Sequence, residues 1–157
     1  MTGDDHLGGI GKIVGNLHAM EHVLRIFLCE ANGENIEYPV RGAAKLAETH
    51  LTNYASLDKI VVEYNAGLAS DEQQYQVDPV VVKIRDALAH GRVISFSLEF
   101  PVTLYKFGKA DGNKQVPIEY AEVLTEAWLN EKRTLLREQI TKIVRCAGKR
   151  AYKSIKS

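Results

Sequence analysis

Three residues in the middle of the chain have the types that act on a phosphate: Arg85, Asp86 and His90, within Lys83-Ile84-Arg85-Asp86-Ala87-Leu88-Ala89-His90-Gly91-Arg92. At about 100° per residue, Asp86 and His90 share one helix face a turn apart, with Arg85 beside Asp86. A guanidinium is a planar fork of donors matched to phosphate oxygens, and an imidazole titrates near neutral pH and can move a proton. Gly91 is the residue type that stops a helix, because it takes a left-handed conformation without a Cβ penalty. His90 is therefore expected at the negative end of a helix dipole, open to solvent. Taken singly, His90 reads as a helix-terminal histidine and Arg85–Asp86 as an exposed ion pair worth less than ~1 kcal/mol. All three on one arc before a helix-stopping glycine read as a functional constellation.

The pattern Arg-polar-x-x-x-His, here Arg85-Asp86-Ala87-Leu88-Ala89-His90 followed by Gly91, resembles the signature of the HEPN superfamily. The resemblance implies a helical and usually dimeric fold and, in active members, cleavage of RNA without a metal. On that reading His90 is the base for the 2′-hydroxyl or the acid for the leaving 5′-oxygen, and the product carries a 2′,3′-cyclic phosphate. Arg85 stabilises charge on the phosphoryl oxygens, Asp86 orients His90 or Arg85, and Arg92 contacts a neighbouring phosphate. One chain offers one motif histidine, and a two-fold homodimer supplies the second. The expectation is a metal-independent endoribonuclease with no cofactor, acting on RNA in a toxin or defence role, with an antitoxin or regulatory protein as a further partner. The motif is shared by active and inactive relatives. Two alternatives therefore stand beside it: a non-catalytic HEPN-like module that binds RNA, nucleotide or a partner protein, and a structural helical dimerisation domain.

Other groupings carry less. His18 and His22 lie one turn apart with Glu21 and Arg25 nearby, but there is no HExxH pattern and no third ligand, so they read as a solvated face rather than a metal site. His22 and Arg25 are retained as candidate substrate-binding residues lining the same cleft as Arg85. Gly8-Gly9-Ile10-Gly11-Lys12 lacks the spacing of a phosphate loop and has no strand before it. Tyr105, Phe107, Tyr120 and Trp128 read as packing residues rather than base-stacking platforms.

The elements that must position the motif follow from periodicity. Ile10, Ile13, Val14, Leu17, Met20, Leu24, Phe27, Leu28 and Ala31 predict a first helix from about 7 to 31, weakened at its start by Gly8, Gly9 and Gly11 so that it begins properly near Lys12. A short helix is expected near 43–50 and a firmer one from Ser56, an N-cap, to about Asn65; Ser70 to Gln76 reads as a linker. Asp78-Pro79 opens the motif helix as N-cap and first helical residue, so 79–91 is expected to be helical. Gly91 then switches the period: Ile94, Phe96, Leu98 and Phe100 alternate with polar residues as a strand. Val102–Phe107 and Lys114–Glu119 flank Ala110-Asp111-Gly112-Asn113, a hairpin turn, with Pro117 marking an edge strand. From Thr125 a long helix carries Leu129, Leu136, Ile140, Ile143, Ala147, Ala151 and Ile155 along its seam. The fold expected is a mainly α, HEPN-like bundle of four to five helices with a small inserted sheet over about 93–120, and residues 1–157 form one domain.

Composition agrees with a globular protein: 157 residues, 45% hydrophobic and 25% charged, with no apolar run as long as a membrane span. The start, Met1-Thr2-Gly3-Asp4-Asp5-His6, is acidic where a signal peptide is basic and then apolar, so a cytoplasmic location is expected. Cys29 and Cys146 lack metal-ligand spacing and read as reduced thiols. Net charge is zero but uneven. Residues 1–80 hold twelve acids and five bases, whereas 131–157 hold nine bases and two acids. The basic tail therefore either binds phosphate or pairs with the acidic half.

Overall fold

The computed structural model describes residues 2–38, 45–95 and 100–156. In order they form α1 (Gly3–Ala31), α2 (Leu57–Ala66), a 3-10 helix (Ser70–Tyr75), α3 (Val80–His90), β1 (Arg92–Ile94), β2 (Thr103–Phe107), β3 (Ile118–Val123) and α4 (Glu126–Lys156). The chain is mainly helical, with one small antiparallel sheet inserted between α3 and α4, as the change of period at Gly91 and its return after Thr125 predict. No described helix is long and apolar enough to cross a membrane. The chain divides into two compact units, residues 1–17 with 80–137, and residues 18–79 with 138–157.

In the first unit, α1 starts at Gly3, well before the expected Lys12. Thr2 and Asp5 explain the difference. The Asp5 carboxylate accepts from the Thr2 N–H at 3.0 Å while the Thr2 hydroxyl accepts from the Asp5 N–H at 3.2 Å. This reciprocal cap satisfies two of the amides a helix start leaves open and offsets the glycines behind it. Ile13, Val81, Ile84, Ala87, Leu104, Leu124, Leu129 and Leu136 are buried in this unit. On α3, Val81, Ile84 and Ala87 form the buried stripe, at steps of three. The α4 start is capped by the Thr125 hydroxyl, which accepts from the Trp128 N–H at 3.1 Å.

Gly91 ends α3, but not in the way expected. Its backbone is not left-handed; the positive-φ glycine among the described residues is Gly33. Gly91 is needed for space instead. A Cβ there would stand 2.8 Å from both Leu104 Cδ1 and the Tyr105 carbonyl oxygen, and closer still to the Ala87 carbonyl. The helix terminus is thus pressed against β2, and the chain turns directly into β1.

The sheet has the order β1-β2-β3, with Arg92 opposite Tyr105, Tyr105 opposite Ala121, and Lys106 opposite Tyr120. The register slips between Lys106 and Phe107, which pairs with Ile118, so Glu119 is an extra residue on β3. β1 ends at Ile94; the expected alternation through Phe96 and Leu98 lies outside the described residues, and Phe100 sits on an exposed bend. β3 begins at Ile118 rather than Lys114, because Pro117 has no N–H to give to a ladder, and it lies at the edge as Pro117 predicts. The turn tip is at Asp111-Gly112 as expected, where Asp111 Oδ1 accepts from the Asn113 and Gln115 N–H groups, each at 2.8 Å.

In the second unit, α1 ends on Gly33 with φ +65°, and the Glu34 N–H donates to the Cys29 carbonyl at 2.9 Å, the closure typical of a glycine-terminated helix. Part of the helix expected at 43–50 lies outside the described residues, and 45–50 is irregular. There Thr52 Oγ1 accepts from the Thr49 N–H at 2.9 Å and donates to the Ala47 carbonyl at 2.7 Å, while the His50 N–H goes to Glu34. Side chains compete with the helix for these backbone groups, and they win. α2 starts as predicted, with Ser56 as its cap. The expected linker over 70–76 is instead the 3-10 helix. Its Glu72 is buried, accepting from the Ala69 N–H at 3.0 Å and from Arg150 Nη2 at 2.7 Å. The α4 seam here runs through Gln139, Ile143 and Cys146 to Arg150; Ile155, expected on the seam, is 83% exposed. Met20, Leu24, Phe27, Leu57, Ile60 and Tyr64 fill the core, and Cys29 and Cys146 are buried free thiols.

Two glycine substitutions test this account in opposite directions. Gly91→Ala should lower the unfolding free energy by about 2–3 kcal/mol, since its methyl group meets backbone that cannot withdraw. Gly15→Ala, on a solvent-facing part of α1 with open space around it, should raise it by about 0.5–1 kcal/mol. Urea titrations of both variants read the two shifts, and a Gly91→Ala protein as stable as the parent would overturn the close-approach explanation.

Candidate functional site

The motif residues lie on α3 in the first unit. Arg85 and Asp86 are half-buried, and His90 is exposed at the last helical position, as expected of it. The Asp86 carboxylate takes two cations: Arg85 Nη1 at 3.3 Å and Lys106 Nζ at 3.5 Å. Lys106 also reaches Glu119 at 3.0 Å. The result is a chain of alternating charge, Arg85–Asp86–Lys106–Glu119, running from α3 onto the sheet. The Glu119 hydrogen bond, reinforced by Asp86, raises the Lys106 pKa, so this ammonium is charged throughout the physiological range. Each member is at least a quarter exposed, so the chain contributes little to stability and serves to fix the two cations.

Among the motif residues, Asp86 therefore contacts Arg85. Its carboxylate is engaged by Arg85 and Lys106, and among the described residues the His90 side chain makes no hydrogen bond or ion pair. Arg92 is exposed on β1, with its guanidinium carbon 5.7 Å from the centre of the Phe107 ring. Lys106 and Glu119 were not legible as site residues. Lys106 reaches Asp86 only through the packing of β2 against α3, and Glu119 reaches Lys106 only through the bulge, which no local pattern announces.

His22 and Arg25 belong to the second unit. His22 is exposed, 6.2 Å from the Tyr38 ring. Arg25 is committed locally. It donates to Glu21 Oε1 at 2.8 Å, to the carbonyls of His50 at 2.7 Å and Ala55 at 2.8 Å, and to Asn53 Oδ1 at 3.0 Å. Those bonds hold the irregular 50–55 segment against α1, and they leave the guanidinium little capacity for a phosphate.

The second unit also contains a titratable cluster with no counterpart in the sequence reading. His50 Nδ1 lies 2.7 Å from Glu34 Oε1 and Nε2 lies 2.9 Å from Glu63 Oε1. Burial depresses the imidazole pKa, but the bonds to Glu34 and Glu63 outweigh it and the net shift is upward. The His50 backbone N–H in turn holds Glu34 below the usual carboxylate range. A cavity of about 270 Å³ beside it is lined by Glu34, Asn35, Glu37, Ala47, Thr49 and Thr52, and the formal charges in that lining are both acidic.

The basic tail resolves toward pairing. Lys149 and Lys153 reach Asp71 at 2.7 and 2.9 Å and hold its carboxyl down at about 2, and Arg150 grips Glu72. Lys142 donates to the Gln76 carbonyl at 3.1 Å. These bases answer acids and carbonyls of the 70–76 segment in the same unit, so the bland reading of the tail holds for them.

Comparison of the chain with protein-family models, with curated proteins and with solved structures returns no match. The local geometry carries the functional argument alone.

The His50 cluster makes a pH prediction. Because the His50 pKa is raised, its stabilisation is complete below the ordinary imidazole value of about 6.5 and is lost as pH rises through the folded value. Because the Glu34 pKa is lowered, its share is complete above about 4.3 and is lost as pH falls through the folded value. The urea midpoint of the parent should exceed that of His50→Gln most at pH 5–6, with the gap narrowing at both ends. A gap that stays constant from pH 4 to 9 would contradict the cluster.

Proposed function

We propose that the chain is a HEPN-like endoribonuclease that cleaves RNA by attack of a 2′-hydroxyl on the adjacent phosphate, without a metal. The observation that carries this reading is the exposed His90 side chain at the end of α3, unpaired among the described residues, in the same unit as the Asp86-bound Arg85 and the exposed Arg92. His90 removes the 2′-hydroxyl proton or protonates the leaving 5′-oxygen. Arg85, steadied by Asp86, meets the charge that builds on the phosphoryl oxygens, and Lys106 adds a second fixed cation behind Asp86. The 2′-oxygen forms a new bond to phosphorus as the 5′-oxygen departs, leaving a 2′,3′-cyclic phosphate and a 5′-hydroxyl.

One histidine completes half of an acid–base pair, so the active form is a two-fold homodimer in which two α3 ends share one cleft. A cytoplasmic toxin or defence effector restrained by an antitoxin fits this chemistry. A second reading has a specific observation in its favour. Asp86 engages Arg85 and Lys106 and, among the described residues, no side chain orients His90, as suits a module that binds RNA, nucleotide or a partner protein without cutting.

Purified protein should cleave single-stranded or loop RNA in EDTA, leaving cyclic phosphate ends and sparing DNA, which lacks the 2′-hydroxyl. His90→Ala should cost a factor of about 100 to 10,000 in rate, and Arg85→Ala a similar factor, with folding intact. Arg85→Lys should restore little, since an ammonium has no bidentate fork. Light scattering should give a dimer at assay concentration. RNA binding without cleavage, unchanged by His90→Ala, would transfer the conclusion to the non-catalytic module.

A further inference from the structure

The register of the sheet sorts its residues onto two faces. Leu104 and Lys106 share the face turned to α3, while Arg92, Ile94, Thr103, Tyr105, Phe107, Ala121 and Val123 share the other, with Ile118 opposite Phe107. The second face is partly exposed. Phe107 is 36% exposed, Val123 47% and Ile118 58%. Tyr105 and Phe107, expected as packing residues, stand on it as a nearly parallel pair, with ring centroids 5.9 Å apart and planes 15° apart. The Arg92 guanidinium lies over the Phe107 ring. Arg92 is the one formal charge that the register puts on this face among the described residues, and it is positive.

We propose that this face is a stacking platform for an unpaired nucleobase of single-stranded RNA, with Arg92 holding the phosphate of the same nucleotide. The occupant follows from the chemistry. Two parallel aromatic rings offer a π-surface of the kind that bases stack on, whatever their sequence. A guanidinium already aligned with a ring adds a cation–π edge and keeps donors for an anion. An apolar peptide would use the rings but not the isolated cation, whereas a nucleotide uses both. Arg92 is two residues beyond His90, so a nucleotide seated here lies one short step along the strand from the α3 end. The inference rests on the endoribonuclease reading for that last connection and deepens it: the substrate is recognised by an unstacked base flanking the scissile phosphate, so loops and single strands are taken and duplexes are not.

The test uses the full-length protein and a non-cleavable 2′-fluoro RNA oligonucleotide carrying one 2-aminopurine, whose fluorescence falls when the base stacks on a ring. Single-stranded probe should bind with quenching, and the same probe in a duplex should bind at least tenfold more weakly. Phe107→Leu, which keeps the apolar bulk and removes the π-face, should weaken binding about five- to a hundredfold and abolish the quenching. The expected thermal midpoint is unchanged, because Phe107 is partly solvent-exposed. Binding and quenching are read on the non-cleavable probe, and cutting is read on a cleavable RNA. This separates the two ideas. If the parent cuts RNA but Phe107→Leu binds and cuts equally well, the platform is wrong and the nuclease stands. If the parent quenches the probe through Phe107 but cuts nothing, the platform stands and the nuclease falls. Equal binding of duplex and single strand, or no binding of either, overturns the platform. So does a Phe107→Leu protein that turns from dimer to monomer in light scattering, since the face would then be the contact between two copies.

Discussion

The region around His90 depends on how closely the backbone at position 91 approaches β2. Only a residue without a side chain passes between the Ala87 carbonyl, Leu104 and the Tyr105 carbonyl. That one steric condition ends α3 at His90, starts β1 two residues later, and brings Lys106 of β2 within reach of Asp86. It therefore sets the helix-terminal histidine, the pair of fixed cations and the exposed position of Arg92 at once. A looser turn would satisfy the backbone equally well but would separate the helix end from the sheet, and the charge chain from α3 to β3 would have no route.

Several of the charges in this molecule are paired within the chain. Asp71 and Glu72 absorb Lys149, Lys153 and Arg150; Glu34 and Glu63 absorb His50; and Arg25 is used up on carbonyls and Glu21. Three bases of the tail, Lys149, Arg150 and Lys153, thus answer two acids of the N-terminal half. His90 and Arg92 are both exposed, two residues apart at the junction of α3 and β1.

Much of the fold was legible because local chemistry dictated it. Ser56 and Thr125 cap helix starts, Asp78-Pro79 stands just before the α3 start at Val80 rather than inside the helix, the switch from 3.6 to 2 marks the sheet, and Pro117 marks its edge. The misses share a cause. Ser70–Tyr75 looks like a linker until Glu72 meets Arg150, 78 positions on; residues 45–50 look helical until Thr49, Thr52 and Glu34 claim their amides. The last turns of α4 look apolar along Ile155, but the buried line follows Cys146 and Arg150. Of the site, the α3 residues were readable from spacing. Lys106, Glu119 and the Tyr105–Phe107 face were not, because a strand pattern does not say which side of a sheet will stay uncovered.

The Glu72–Arg150 pair has a consequence for the order in which the chain acquires its structure. A glutamate this enclosed is tolerable only with its guanidinium in place, since an unpaired buried carboxylate is costly. The 67–76 segment, whose Gly67 carbonyl also accepts from Arg150, cannot settle while residue 150 is still inside the ribosome. During synthesis Glu72 stays hydrated, and the cover that Arg150 gives to the Phe27 ring, 4.7 Å from its centre, is missing. The turn of α4 that carries Arg150 is thus the part that closes the second unit, and a product stalled before it would expose apolar surface that chaperones and proteases read as unfinished.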